Sequence, residues 1–132
     1  MTTYRIAESS GDYRKCYNFV RSVDRPVSKL TFPTVFAEND GGSITSVLGR
    51  AKQGGFPRTI LYFNLRGVNP AYTLIRQLSL YEAALVSVDT FVHFISIEKD
   101  PDWLDMLETF GFKILNEEEN QIWLHKDLID GR

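Results

Sequence analysis

Arg66-Gly67-Val68-Asn69-Pro70-Ala71 stands between two runs of different periodicity. Before it, Thr59-Ile60-Leu61-Tyr62-Phe63-Asn64-Leu65 is apolar on both faces, which predicts a strand in the middle of a sheet. After it, Ala71, Leu74, Ile75, Leu78 and Leu85 recur at helical spacing and predict a helix over residues 71–86. Pro70 suits the first helical position and Asn69 the N-cap before it. A strand, a tight loop and a helix start form a cradle for phosphate, because the free backbone N–H groups and the helix dipole favour negative charge there. Glycines normally let such a loop approach its ligand closely. Here Asn69 and Pro70 stand at the centre, and proline has no N–H to donate.

Outward toward the N-terminus, Gln53-Gly54-Gly55-Phe56-Pro57 predicts a turn. Asn39-Asp40-Gly41-Gly42 predicts a hairpin between strands at Thr34–Ala37 and Ser43–Leu48, since Asn, Asp and Gly tolerate positive φ. Tyr4 to Glu8 reads as a short first strand. Ser9-Ser10-Gly11-Asp12 then offers N-cap residues to a helix with Tyr13, Cys16, Tyr17 and Val20 on one stripe. Asp24-Arg25-Pro26 ends that helix. Toward the C-terminus, Phe91 to Ile97 is a second buried strand. Asp100-Pro101 opens a short helix with Trp103, Leu104 and Leu107, and Gly111 stops it. Lys113–Leu115 and Ile122–Leu128 are strands joined by a turn at Asn116–Asn120. The order β-α-β-β-β-α-β-α-β-β predicts an α/β (α+β) fold, a mixed and mostly antiparallel sheet of about seven strands flanked by helices.

The 132 residues suffice for one domain spanning the chain. No apolar run is long enough to cross a membrane, and the first residues lack the apolar stretch of a secretory signal, so a cytoplasmic setting is expected. Cys16 is the single cysteine, which excludes an internal disulfide and a multi-cysteine metal site. Net charge is −2, with residues 1–66 carrying ten Lys/Arg against five Asp/Glu and residues 67–132 five against twelve. Such a split arises when oppositely charged halves pack together, or marks an electrostatic partner site. No basic block points to nucleic acid.

The element order, the loop Arg66–Ala71 and the ending Leu107-Glu108-Thr109-Phe110-Gly111-Phe112 followed by Ile122-Trp123-Leu124 resemble the GNAT superfamily of acyl-CoA-dependent N-acetyltransferases. The likeness covers essentially the whole chain. It implies acetyl-CoA as cofactor, lying in a splay between the fourth and fifth strands. Leu65, Arg66, Gly67, Val68, Asn69, Ala71 and Tyr72 would flank it. Arg66 and Ala71 match the ends of the family's Arg/Gln-x-x-Gly-x-Gly/Ala loop, and Asn69 replaces its middle glycine. Three further departures follow. Leu107 occupies the place of a tyrosine acid, Asp100 that of a cofactor-holding asparagine, and Trp103 that of a small alanine.

The resemblance implies direct attack of a small-molecule or peptide amine on the thioester. The family's usual strand glutamate is absent from Thr59–Leu65, which leaves Glu38, Tyr62 and His93 as candidate proton-handling residues. A lone strand histidine more often packs than titrates usefully, and buried free cysteines such as Cys16 are usually inert. His125 is expected to face solvent, and the two distant histidines have no metal-ligand spacing. A different function fits the same residues. A GNAT-like chain that has lost catalysis serves as an interaction or assembly module for a protein partner, as in some phage and virion-associated proteins. A homo-oligomer is compatible with both.

Overall fold

The computed structural model describes residues 1–23, 29–52, 59–66, 69–84, 91–96, 101–119 and 122–127. The elements are β1 (Thr3–Ile6), α1 (Ser10–Val23), β2 (Leu30–Glu38), β3 (Ile44–Lys52), β4 (Thr59–Leu65), α2 (Pro70–Ala84), β5 (Phe91–Ser96), α3 (Pro101–Thr109), β6 (Lys113–Glu117) and β7 (Ile122–Asp127). They form one seven-stranded sheet in the order β1-β2-β3-β4-β5-β7-β6. Every neighbouring pair is antiparallel except β4 and β5, which run parallel. The predicted class and element order are those of the structure, and β4 sits at the centre of the sheet as its two apolar faces require.

Helix starts and stops follow local chemistry. Ser9 Oγ accepts the Asp12 N–H at 3.1 Å, while the Asp12 carboxylate accepts from Ser9 N at 3.3 Å and Glu8 N at 3.0 Å. This reciprocal capping box opens α1. At the end of α3, Gly111 adopts φ 96°. Its N–H bonds the Glu108 carbonyl at 2.9 Å, and the next N–H, from Phe112, reaches back to Leu107 at 3.1 Å. That is a Schellman stop, completed by Phe112 and Leu107 packing in the same core.

The sheet separates two apolar clusters. On one face α1 buries Cys16, Phe19 and Val20 against Leu30, Phe36 and Val47. On the other, Leu74, Leu78 and Tyr81 of α2 and Leu107 of α3 meet Val35, Leu48, Leu61, Ile122 and Leu124. Each fully buried Leu, Val or Ile contributes about 1.5–3 kcal/mol relative to exposure. One buried polar group ties α2 to the sheet. Gln77 Nε2 donates to the Val35 carbonyl at 2.9 Å, and Ser46 Oγ donates to Gln77 Oε1 at 2.6 Å.

Several expectations are corrected. Ile75 is not on the buried stripe of α2 but 45% exposed, because the face is set by Thr73, Leu74, Gln77, Leu78 and Tyr81. β2 begins at Leu30 rather than Thr34, and β3 continues to Lys52. The strand passes Pro33 through a register shift, where Thr34 Oγ1 donates to the Thr31 carbonyl at 2.6 Å. β1 is Thr3–Ile6 rather than Tyr4–Glu8, since Glu8 and Ser9 are drawn into the α1 cap. β6 extends through Glu117, so the strand takes the start of the expected turn. The turn at Gln53–Pro57, Leu85, Asp100 and Leu128 lie outside the described residues. No described helix is long and apolar enough to cross a membrane.

Candidate functional site

β4 and β5 pair at Ile60↔His93, Leu61↔Phe94 and Tyr62↔Ile95, and no later rung joins them among the described residues. β4 continues for three more residues with β3 alone beside it, at Leu48↔Phe63, Val47↔Asn64 and Ser46↔Leu65. Among the described residues this parallel pairing ends at Tyr62 and Ile95, one residue before β5 itself ends at Ser96, and the N-terminus of α2 stands beyond the end of β4.

The start of α2 is largely satisfied from within. Asn69 has φ 53°, the left-handed conformation that asparagine tolerates better than most residues. Its Oδ1 accepts the Tyr72 N–H at 3.1 Å, and its carbonyl accepts the Thr73 N–H at 3.2 Å. Pro70 has no N–H. The Asn69 and Ala71 N–H groups have no bond to another described residue. Gly67 and Val68 lie outside them.

Arg66 reaches across to α1 while also lining the cavity at the start of α2. Its backbone N–H bonds the Thr45 carbonyl at 2.8 Å. Its Nη2 donates to Ser22 Oγ at 2.8 Å, and the guanidinium lies 5.3 Å from the Phe19 ring. Ser22 Oγ in turn donates to the Phe19 carbonyl at 2.8 Å. The cation thus serves the last turn of α1, where the helix dipole favours positive charge. Leu65, Asn69, Tyr72 and Thr73, with Tyr4, line a cavity of about 520 Å³ beside Arg66. Tyr4 and Tyr72 meet edge to face there at 6.5 Å.

Trp103 of α3 stacks on Phe63 of β4, with ring centroids 5.8 Å apart and planes 18° from parallel. Phe63 is the first β4 residue past the described β4–β5 rungs, so the indole lies at the end of that joint. Leu107, one turn further along α3, is fully buried in the core. The position that the resemblance gives to a proton donor is a packing position in this chain.

Glu38 closes β2 at the same end of the sheet as Leu65, since Ala37 pairs with Ser46 and Ser46 with Leu65. Its carboxylate takes Lys15 Nζ at 2.9 Å and Arg5 Nε at 3.4 Å. The hydrogen bond from Lys15, with the charges of Lys15 and Arg5, holds it below the usual carboxylate range despite partial burial. A base for an ammonium nucleophile needs a raised pKa, so this environment opposes that role. Burial pushes the Cys16 thiol up to about 12 and leaves it inert.

The side chains of Tyr62 and His93 lie outside the described part of the structure, but their backbones are placed. Tyr62 occupies the last described β4–β5 rung, and His93 lies two rungs deeper. His93 also pairs directly with His125 across β5 and β7. The two histidines are distant in sequence and adjacent in register, which the sequence could not disclose without the strand order. His125 is partly buried rather than solvent-facing, and its Nε2 meets Asp127 Oδ1 at 2.8 Å. Among the described residues no group of three or more His, Cys, Asp and Glu could hold a metal.

Residues 24–28, between α1 and β2, lie outside the described residues. Leu30 pairs with Ala51 and Ala51 with Ile60, which puts the start of β2 at the other end of the sheet from Arg66. A groove of about 640 Å³ there, between Tyr13, Arg14 and Tyr17 of α1 and Lys29 and Phe32, shares no lining residue with the cavity at the start of α2.

The sequence matches no family model and no curated protein sequence. Solved structures match over nearly its whole length. A GNAT superfamily phosphinothricin acetyltransferase from Sinorhizobium meliloti, in complex with AcCoA, is 13% identical with TM-score 0.63, covering 96% of this chain and 88% of that one. A GNAT-family acetyltransferase from Streptococcus pneumoniae is 12% identical with TM-score 0.64, covering 97% and 100%. Aminoglycoside 6'-acetyltransferase type Ii is 13% identical with TM-score 0.67, covering 97% and 98%. At these identities the likeness is one of fold, and the chain has the GNAT acetyltransferase fold.

Proposed function

We propose that this chain is a GNAT-type N-acyltransferase that takes acetyl-CoA weakly and passes its acetyl group to a small-molecule or peptide amine. The observation that carries the reading is the end of the described parallel pairing of β4 and β5 at Tyr62 and Ile95, with the start of α2 beyond it. A thioester arm needs strands that part there, and a pyrophosphate needs the helix start beside it. Bound acetyl-CoA supplies an activated acyl thioester. Leu65, Arg66, Gly67, Val68, Asn69, Ala71 and Tyr72 flank its pyrophosphate end, with the Asn69 and Ala71 N–H groups as donors.

The residues fit that group incompletely. The Tyr72 N–H is taken by Asn69 and Pro70 has none, and each lost charge-assisted hydrogen bond costs about 1.5–3 kcal/mol. Trp103 must also leave Phe63 before an arm can enter at that joint. Tyr62, at the last rung, is the residue we assign to proton handling. Glu38, already paired with two cations, keeps the ends of β2 and α1 together.

The capped helix and the stacked Trp103 favour a second reading, a GNAT-fold module that no longer catalyses and holds a protein partner. Calorimetric titration with acetyl-CoA and CoA separates the two. Under the enzyme reading the native chain binds acetyl-CoA saturably; Asn69→Gly tightens it by about tenfold, the worth of one such hydrogen bond, and Trp103→Ala tightens it by about threefold to tenfold, the worth of the aromatic stack that the arm no longer has to displace. No binding by any of the three proteins up to millimolar concentration rejects the enzyme in favour of the module.

A further inference from the structure

The groove of about 640 Å³ between α1 and the start of β2 takes no part in acyl transfer as read above. Its walls come from Tyr13, Arg14 and Tyr17 of α1 and from Lys29, Leu30 and Phe32, and no described residue of β3, β4 or β5 lines it. The pairing of β1 with β2 stops at Ile6↔Val35, so the groove lies where β2 runs on past the end of β1. Tyr13 and Tyr17 stand one helical turn apart on the same side of α1. Phe32 is 49% exposed. Three aromatic rings thus line a concavity of the size that holds a small molecule.

Two cations stand at this groove without a counter-charge. Arg14 and Lys29 are exposed and make no ion pair among the described residues. No carboxylate lines the groove. Asp12, the acidic residue in the first turn of α1, is taken by Arg5 and by the Glu8 and Ser9 amides. Arg21 brings a further positive charge, 5.6 Å from the Tyr17 ring. Burial holds the Tyr13 phenol above its usual pKa, so its hydroxyl stays neutral and able to donate. The strand edge itself has little to give a peptide backbone. Pro33 has no N–H, Arg50 Nη1 donates to the Phe32 carbonyl at 2.8 Å, and Thr34 Oγ1 donates to the Thr31 carbonyl at 2.6 Å. Recognition here runs through ring faces and positive charge, not through strand addition.

We propose that this groove binds a small aromatic acid, a flat ring system seated among Tyr13, Tyr17 and Phe32 with its carboxylate toward Arg14 and Lys29. Aromatic rings pair edge to face or offset, and a carboxylate beside two cations gains charge-assisted hydrogen bonds. The site is independent of acyl transfer and stands or falls separately from it.

Heteronuclear NMR titration of the full chain with 2-naphthoate, and with 2-naphthamide as its uncharged counterpart, is the test. Naphthoate should bind saturably with Kd on the order of 1 mM, as suits a ligand of its size, and shift the amides of Tyr13, Arg14, Tyr17 and Phe32. Naphthamide should bind about tenfold more weakly, and Arg14→Gln and Lys29→Gln should each weaken naphthoate by about threefold, the worth of an exposed ion pair. Phe32→Ala should weaken it by about threefold to tenfold. Tyr72→Ala, in the cavity at the start of α2, should leave its Kd unchanged. The substituted groove residues Arg14, Lys29 and Phe32 are exposed, and circular dichroism reports that the variants keep the fold. Absence of saturable shifts up to about 10 mM overturns the proposal. Naphthamide binding as tightly as naphthoate overturns the acid as ligand. Shifts confined to residues 69–73 overturn the groove as its site.

Discussion

Asn69 is one residue with two roles in conflict. Its left-handed backbone turns the chain from β4 into α2, and its side chain occupies an N–H that a phosphate oxygen would use. The two roles separate by substitution. Asn69→Gly keeps the backbone conformation without strain and loses the cap, so stability should fall by only about 0.5 kcal/mol. Asn69→Ala loses the cap and forces a Cβ into positive φ, and should cost about 2 kcal/mol. Urea unfolding of both variants checks the order; equal losses would remove the backbone role. The cap itself was legible, because Asn before Pro at a helix start has few other uses. The φ and the commitment of Arg66 to Ser22 and Phe19 were not. A guanidinium on a flexible stem takes whichever partner the fold brings near, and sequence spacing does not say that α1 ends beside β4.

At the scale of elements, order and type could be read and faces less well. Caps, prolines and Gly111 mark helix ends through local rules, so α1, α2 and α3 fall close to where the residues put them. The inward face of α2 was misread because Gln77 is polar and Ile75 is not. Gln77 is nevertheless fully buried, with both ends of its amide bonded to β2 and β3, while Ile75 faces out. Tertiary hydrogen bonding decided that face against hydrophobicity. Gln77→Leu should therefore destabilise the protein by about 1–3 kcal/mol, since it strands the Val35 carbonyl and the Ser46 hydroxyl in the core. Thermal unfolding measures this, and a Leu variant as stable as the native chain would show those groups finding other partners. Acid acts on the opposite face. Hydrogen bonds from the Glu8 and Ser9 amides hold Asp12 below its usual pKa, and the bond from Lys15 does the same for Glu38. Lowered carboxyl pKa values give stability that is present above the unfolded values, about 4, and lost as pH falls through the folded ones. The denaturation midpoint should be level near neutrality and decline below about pH 4, and Glu38→Gln should flatten that decline.

The whole molecule is two antiparallel blocks, β1 to β4 and β5-β7-β6, joined along three rungs between β4 and β5. Sequence showed the blocks as a charge imbalance between residues 1–66 and 67–132, without saying that they would lie side by side. The end of the β4–β5 pairing was out of reach because it depends on which strands adjoin, and composition carries no neighbour list. The charge imbalance and the short joint have a joint consequence. The leaf ending at Arg66 carries the net positive charge, and the chain beyond it the net negative charge. The two leaves attract across their narrowest seam, and ions in solution screen that attraction over about 10 Å at 0.1 M. Ionic strength therefore sets how readily the seam breathes, and salt becomes a handle on access to the molecule's interior.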